Sequence, residues 1–392
     1  MPWVLAGLTA LLLAGCGGGV APAPRGAVAP ALPRTSAASA SYAPWPGFGH
    51  DAAHSGSAPV VGPQRAHVRW MRRLEGPVVP GPAVGTGGVV YAASNGGVLH
   101  AIDGRTGRDR WRFDGGGTYG SDLSTVPAVL PDGLVLWPGP RDSLFALGPH
   151  GRLRWRLALP AAPLSPLVDV ARHRLHVADA GGGLRTYALG RGRPRLESIA
   201  RLGSSSYGSP ALAADGTVYA TADSSLLAVR DGRVRWRVQA RDIIEVSPAV
   251  APDGTVVFGA NDRRERGVTP AGRLRWTYDL GAVTYSSSAA TRSGLAVVGD
   301  HLGAVTLLDA RTGRLRGRLR AGSGQVWTAP AIDARHDVYV GTHRGHVLAF
   351  GPGGTLLWDL DTGASVESYP ALAGDGTLLI GSESGRLYAI GP

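Results

Sequence analysis

The 392-residue sequence predicts an all-β fold: an eight-bladed β-propeller of four-stranded antiparallel blades, its ring closed by an N-terminal strand that completes the last blade. Three observations carry that expectation. First, a Pro-Ala-Val-like motif begins at Pro82, Pro127, Pro166, Pro210, Pro248, Pro330 and Pro370, with Ala289 standing in the one double-length gap; the eight copies lie 38 to 45 residues apart. Second, each copy leads through turns such as Asp132-Gly133, Asp215-Gly216, Asp253-Gly254 and Asp375-Gly376 into short β-rich runs, and Asp-Gly between apolar residues is a strong hairpin signal. Third, 59 glycines and 29 prolines punctuate nearly every ten-residue window, which leaves no room for a helical bundle or a doubly wound α/β domain. Hydrophobic content of 44% still supports a packed core.

Taken in order, the chain divides at residues 15 and 44. Val4 to Ala14 is an apolar run too short to serve as a spanning helix. It ends in Leu13-Ala14-Gly15-Cys16, the arrangement of a secretory leader with small residues at the cleavage point. That tetrapeptide resembles a bacterial lipobox, which implies a signal peptide over 1–15 and a lipid on Cys16, the single cysteine of the chain. Residues 16–44 are Ala, Pro, Gly and Ser with two arginines, too apolar-poor to offset ordering entropy, and read as a flexible tether. Residues 45–392 hold the repeats.

The end of each repeat carries a second series: Trp70, Trp111, Trp155, Trp236, Trp276 and Trp358, with Gly317 in one place and the region near Leu196 in another. This series is offset by one from the proline series. Trp70 comes before the first motif, and the chain stops at Pro392 before an eighth terminal strand. The strand around Arg69-Trp70-Met71 is therefore expected to complete the last blade and leave no open sheet edge.

Ala101-Ile102-Asp103-Gly104-Arg105-Thr106-Gly107-Arg108-Asp109-Arg110-Trp111 resembles the tryptophan-docking motif of pyrroloquinoline-quinone-type propellers, and 307–317 repeats it without the Trp. The opening Trp45-Pro46-Gly47-Phe48-Gly49-His50-Asp51, with His54-Ser55-Gly56, is similar to the lead-in of bacterial members. The resemblance implies that the tryptophans dock between neighbouring blades and are structural. It also implies one of two branches. The quinone-dependent dehydrogenases would bring pyrroloquinoline quinone and Ca²⁺. The non-catalytic lipoproteins resemble the propeller subunit of the outer-membrane β-barrel assembly machinery. The chain departs from the enzyme branch: it is shorter, has no adjacent cysteine pair, and contains only Asn95 and Asn261 as asparagines. The expectation is therefore a cofactor-free, monomeric scaffold without a metal site. It would be exported to the periplasmic face of the outer membrane or the cell surface, bind an envelope protein partner and touch membrane through Cys16. The alternatives are a quinone-dependent dehydrogenase of sugars or alcohols, and a small-ligand or glycan sensor.

No residues form a recognisable catalytic motif: there is no Gly-x-Ser-x-Gly elbow, phosphate loop or zinc-protease signature. His343/His346 and His173/His176 have a two-residue gap but no cysteine or acidic partner at ligand spacing, and read as solvated turn histidines. His50, Asp51 and His54 read as a lead-in bonded to blade edges.

The binding candidates come from position. Three residues before the proline position stand Val79, Ser124, Pro163, Tyr207, Glu245, Ser286, Trp327 and Glu367, with Tyr285 and Tyr369 as neighbours. The innermost strand of each blade lines the channel, so Tyr207, Glu245, Tyr285, Trp327, Glu367 and Tyr369 are expected at a funnel mouth able to stack and hydrogen-bond a ligand.

All 40 basic residues are arginine, against 29 acidic ones, and many fall as Arg-x-Arg in terminal strands. Strand alternation places these on one face, giving a basic outer rim suited to anionic lipid or an acidic partner. Export argues against nucleic acid.

Overall fold

Eight four-stranded antiparallel sheets make up the protein in its computed structural model. The structure describes residues 44–118, 125–322 and 324–392, all within the unit Ser39–Pro392. Cys16, the leader and nearly all of the tether, and Ser124 of the channel series, lie outside the described residues. Blades 1 to 7 span 83–114, 128–158, 167–201, 211–239, 249–279, 289–320 and 331–361. Blade 8 takes three strands from 371–391 and its outermost from β1 (His67–Arg73). That strand pairs antiparallel with Arg386–Gly391, from His67 opposite Gly391 to Arg73 opposite Arg386. The ring is thus closed non-covalently, and the offset between the two sequence series is its signature.

Each blade begins with a two- or three-residue strand whose side chains are mostly buried, such as Ala83–Val84 and Ala249–Val250. The second and third strands are buried almost throughout because neighbouring blades pack on both their faces. The fourth alternates exposed with covered residues, as in Arg233–Gln239, because its outer edge meets water.

Four of the six tryptophans donate into the following blade. Trp70 Nε1 donates to the Gly104 carbonyl at 2.8 Å, Trp111 to Pro149 at 2.8 Å, Trp236 to Pro270 at 2.9 Å and Trp276 to Ala310 at 2.9 Å, each acceptor lying in the following blade. Trp358 donates instead to Pro63 of the lead-in at 2.7 Å. Trp155 is buried beside an opening of about 510 Å³ between blades 2 and 3. The motif glycine is obligatory for two reasons at once. Gly107 and Gly313 both have φ of 70°, and a Cβ there would lie 2.9 Å and 2.6 Å from the indoles of Trp70 and Trp276.

One position is sharpened by the register and another differs from expectation. In blade 3 the residue opposite Thr186, just before the bulge that every fourth strand carries, is Ser198, so within the region near Leu196 it is Ser198 that fills the tryptophan place. The side chain packs on Gly232 of the next blade but is much smaller than an indole, and a cavity of about 340 Å³ opens there. In blade 6 the innermost strand is Ala289–Ala290, which puts Ser288 at the proline position and Tyr285, not Ser286, three residues before it. Ser288 has a reason to be there: its hydroxyl donates at 2.6 Å to Glu265, a fully buried carboxyl on blade 5.

Candidate functional site

The two ends of the central channel are built from different parts of the repeat. Each innermost strand enters from the open end and leaves at the other, where its second residue would expose an unpaired N–H. The lead-in removes six such orphans. Val84 donates to Trp45, Val129 to Pro46, Leu212 to Ala52, Val250 to Ala53, Ala290 to His54 and Ile332 to Gly56, at 2.6 to 3.1 Å. Residues 45–58 therefore close this end.

The polar groups of that closure are structural. Asp51 accepts the amides of Ala53 and Ser55 and the Ser55 hydroxyl, holding a tight turn. Burial opposes its charge, yet the contacts with His50 and Ser55 hold its carboxyl well below the usual range. His54 Nδ1 donates to the Pro248 carbonyl at 2.7 Å, and burial pushes its imidazole down to about 4, so it is neutral. Of the three residues read as bonded to blade edges, His54 makes that bond through its side chain, whereas Asp51 holds the lead-in's own turn and His50 contacts Asp51.

The open mouth is assembled from two columns of residues. One is the series three before the proline position. The other is the hairpin between second and third strands: Asn261 N donates to Ile243 O, His301 to Val283, His343 to Gln325 and Glu383 to Ser365, at 2.9 to 3.0 Å. In each case the acceptor lies two residues before the first series, so the hairpin side chain is set beside a channel-mouth side chain. Over blades 5 to 8 this brings Glu245, Tyr285, Trp327 and Glu367 together with Asn261, His301, His343 and Glu383.

The rings form a continuous cluster. Trp327 stacks on His343 at 4.5 Å and 27°, and on His301 at 5.5 Å and 20°. Tyr285 meets His301 edge-on at 4.5 Å and Trp327 at 5.6 Å. Carboxylates flank them: Glu367 lies 3.2 Å from His343 Nδ1 and accepts from Ser365, while Glu245 accepts from Asn261 at 2.7 Å. Three buried polar atoms in this cluster, Trp327 Nε1, His301 Nε2 and Asn261 Oδ1, have no protein partner. Burial, then the charge of Glu367, raises the Glu383 carboxyl above its ordinary value; burial lowers His301.

Of the sequence candidates, Glu245, Tyr285, Trp327 and Glu367 converge here. Tyr207 stands at the equivalent place in blade 4, exposed. Tyr369 does not reach the mouth: it packs edge-on against Phe48 of the closure at 4.9 Å. His343 sits in a turn and is half exposed, as read, but its ring is part of the stack. His346 pairs with Asp359 at 2.7 Å. His173 is an exposed turn residue, whereas His176 is buried against Thr186 and pushed down to about 4 by burial, contrary to a solvated reading. The hairpin column was missed; aligning the repeats on their second turn places Asn261, His301, His343 and Glu383 at one offset. Among the described residues, no three His, Cys, Asp or Glu side chains converge as a ligand set for a metal ion.

The sequence matches the family described as "Outer membrane protein assembly factor BamB" over residues 56–126 and 195–392, more than half of the chain. The chain belongs to this family. Among relatives, it is 26% identical to the outer membrane protein assembly factor BamB of Burkholderia pseudomallei, over 79% of this chain and 83% of that one. It is 30% identical to the serine/threonine-protein kinase AfsK of Streptomyces coelicolor, over 82% of this chain but only 41% of the kinase. The chain thus spans about two fifths of the kinase's length. The crystal structure of BamB from Moraxella catarrhalis superposes with a TM-score of 0.66 at 16% identity, covering 83% of this chain and 99% of that one, which is a likeness of fold.

Proposed function

We propose that this BamB-family propeller is a non-enzymatic, lipid-anchored interaction scaffold of the cell envelope, with the open channel mouth over blades 5 to 8 as its recognition site. The observation that carries the reading is the contrast in how polar groups are used. At the closed end the lead-in satisfies six strand N–H groups and leaves one buried side-chain atom, His50 Nε2, without a partner, while at the mouth stacked rings and carboxylates surround three such atoms among the described residues. Aromatic faces with convergent hydrogen-bonding groups bind ligands or peptides without a chemical step. The match over 83% of the B. pseudomallei relative supports an envelope role, with outer-membrane protein assembly as the specific form; the anchor proposed is Cys16, from its lipobox-like sequence.

A second reading, a ligand-sensing propeller, uses the same mouth and rests on its stacked rings and unpartnered polar atoms. Pull-down from detergent-solubilised envelopes separates the two. A scaffold recovers the same protein partner in replicate preparations. Recovery of no partner, together with saturable binding of a small ligand that quenches Trp327 fluorescence, replaces it with the sensor.

A further inference from the structure

We propose that the closed end of the propeller is a docking face for an anionic lipid bilayer, so that the mouth points away from the membrane. This goes beyond the recognition site above and does not depend on it. The closed-end face carries the first and third turns of every blade. Several arginines there reach across to turn aspartates, as Arg69 does to Asp375 at 2.7 Å, Arg275 to Asp253 at 2.8 Å and Arg230 to Asp215 at 3.1 Å. After these pairings each of the first six blades still presents an exposed arginine with no ion pair: Arg105, Arg152, Arg191, Arg233, Arg273 and Arg311. Among the described side chains, Asp132 is the one exposed carboxylate in these turns without such a partner.

Charge alone would fit any polyanion; the aliphatic residues between the arginines decide for lipid. Leu153, Leu196, Val234, Leu274, Leu315 and Leu356 occupy equivalent places, two residues before the tryptophan position, and all are 39 to 54% exposed. Each faces the last residues of the third strand, as Leu153 does Leu147 and Leu356 does Phe350, which fixes them beside the third turn. A ring of leucines interleaved with arginines matches a headgroup–acyl boundary, where apolar area and anionic attraction add. The course of the chain agrees. Pro44, the first of the described residues, packs on Gly374 in the first turn of blade 8, on this face.

The test is partitioning of the full chain onto vesicles of phosphatidylglycerol compared with phosphatidylcholine; the ratio cancels the uncharged contribution of the apolar N-terminal run. The expected result is a strong preference for phosphatidylglycerol. Arg233→Gln, Arg273→Gln and Arg311→Gln combined should cut it about a hundredfold. Leu274→Ser with Leu315→Ser should cut binding to the anionic vesicles about tenfold. A matched triple on the mouth face, Arg141→Gln, Arg241→Gln and Arg263→Gln, should leave both unchanged, and melting curves should show all three variants folded. Equal binding to the two vesicle types, or an equal loss from the mouth-face triple, overturns the proposal. Binding that falls with the arginines but ignores the leucines also overturns it, in favour of an acidic macromolecule.

Discussion

The closed end and the open mouth of the channel are made from the same repeat, yet they treat polarity in opposite ways. At the closed end six innermost strands hand their free N–H groups to one threaded segment, and His54 is neutral and bonded to a carbonyl. At the mouth, equivalent positions hold Glu245, Tyr285, Trp327 and Glu367, whose neighbours keep unpartnered buried atoms. Residues of the same type, histidine and carboxylate, thus serve construction at one end and, in the function proposed above, recognition at the other. What separates them is whether the backbone already supplies their partners.

The harshest way to break that comparison is to remove the closure. Deleting residues 45–75 takes away both the threaded segment and β1, leaving blade 8 with three strands and an exposed edge. The expected result is loss of a single cooperative unfolding transition. A truncated protein that melts cooperatively at the wild-type Tm contradicts the closure.

Next in size is the docking at the closed-end turns. Trp276→Ala should destabilise by about 3–5 kcal/mol in denaturant titrations, since the indole is buried and bonded to Ala310. Ser198→Ala, at the same place in blade 3, should cost under about 1 kcal/mol, because the serine touches no following-blade acceptor and borders a cavity.

Glu265 sharpens the comparison from the mouth side. Burial pushes its carboxyl up to about 7, against which the Ser288 hydrogen bond and the Arg266 charge act only partly. A carboxyl whose folded value exceeds its unfolded one favours the folded state when protonated. Its contribution is therefore full below about pH 4.5 and is lost as pH rises through about 7. Glu265→Gln should raise stability by about 3 kcal/mol at pH 8 and change little at pH 4, read as Tm against pH. A mutant whose Tm falls equally at both pH values would show that the hydrogen bond, not the ionisation, dominates.

Most of the architecture was legible because it repeats: the proline motif marks the innermost strand, tryptophan the outermost, and the offset between them the closure. What was not legible depends on single residues that break period. In blade 3 the tryptophan place, read only as the region near Leu196, is held by Ser198, and Ser288 hid a blade start because it answers a buried Glu265 on the neighbouring blade. Half of the mouth was read from the channel series. The other half, His301, His343, Asn261 and Glu383, sits on a different hairpin, and its proximity follows from backbone hydrogen bonds that no spacing displays. Tyr369 was drawn to the mouth by sequence adjacency, whereas strand alternation turns it toward Phe48.

The central claim, that recognition belongs to the mouth and construction to the closed end, is tested most directly by a paired measurement on Trp327→Ala and His54→Ala. Each variant is melted and, in parallel, its capture of envelope partners or of a mouth ligand is quantified. The account predicts that Trp327→Ala, and likewise Glu367→Gln, binds at least tenfold more weakly while Tm stays near wild type. His54→Ala should lower Tm and leave binding by the remaining folded protein intact. A large loss of stability in Trp327→Ala with unchanged binding would make the ring cluster packing, and the mouth would hold no site.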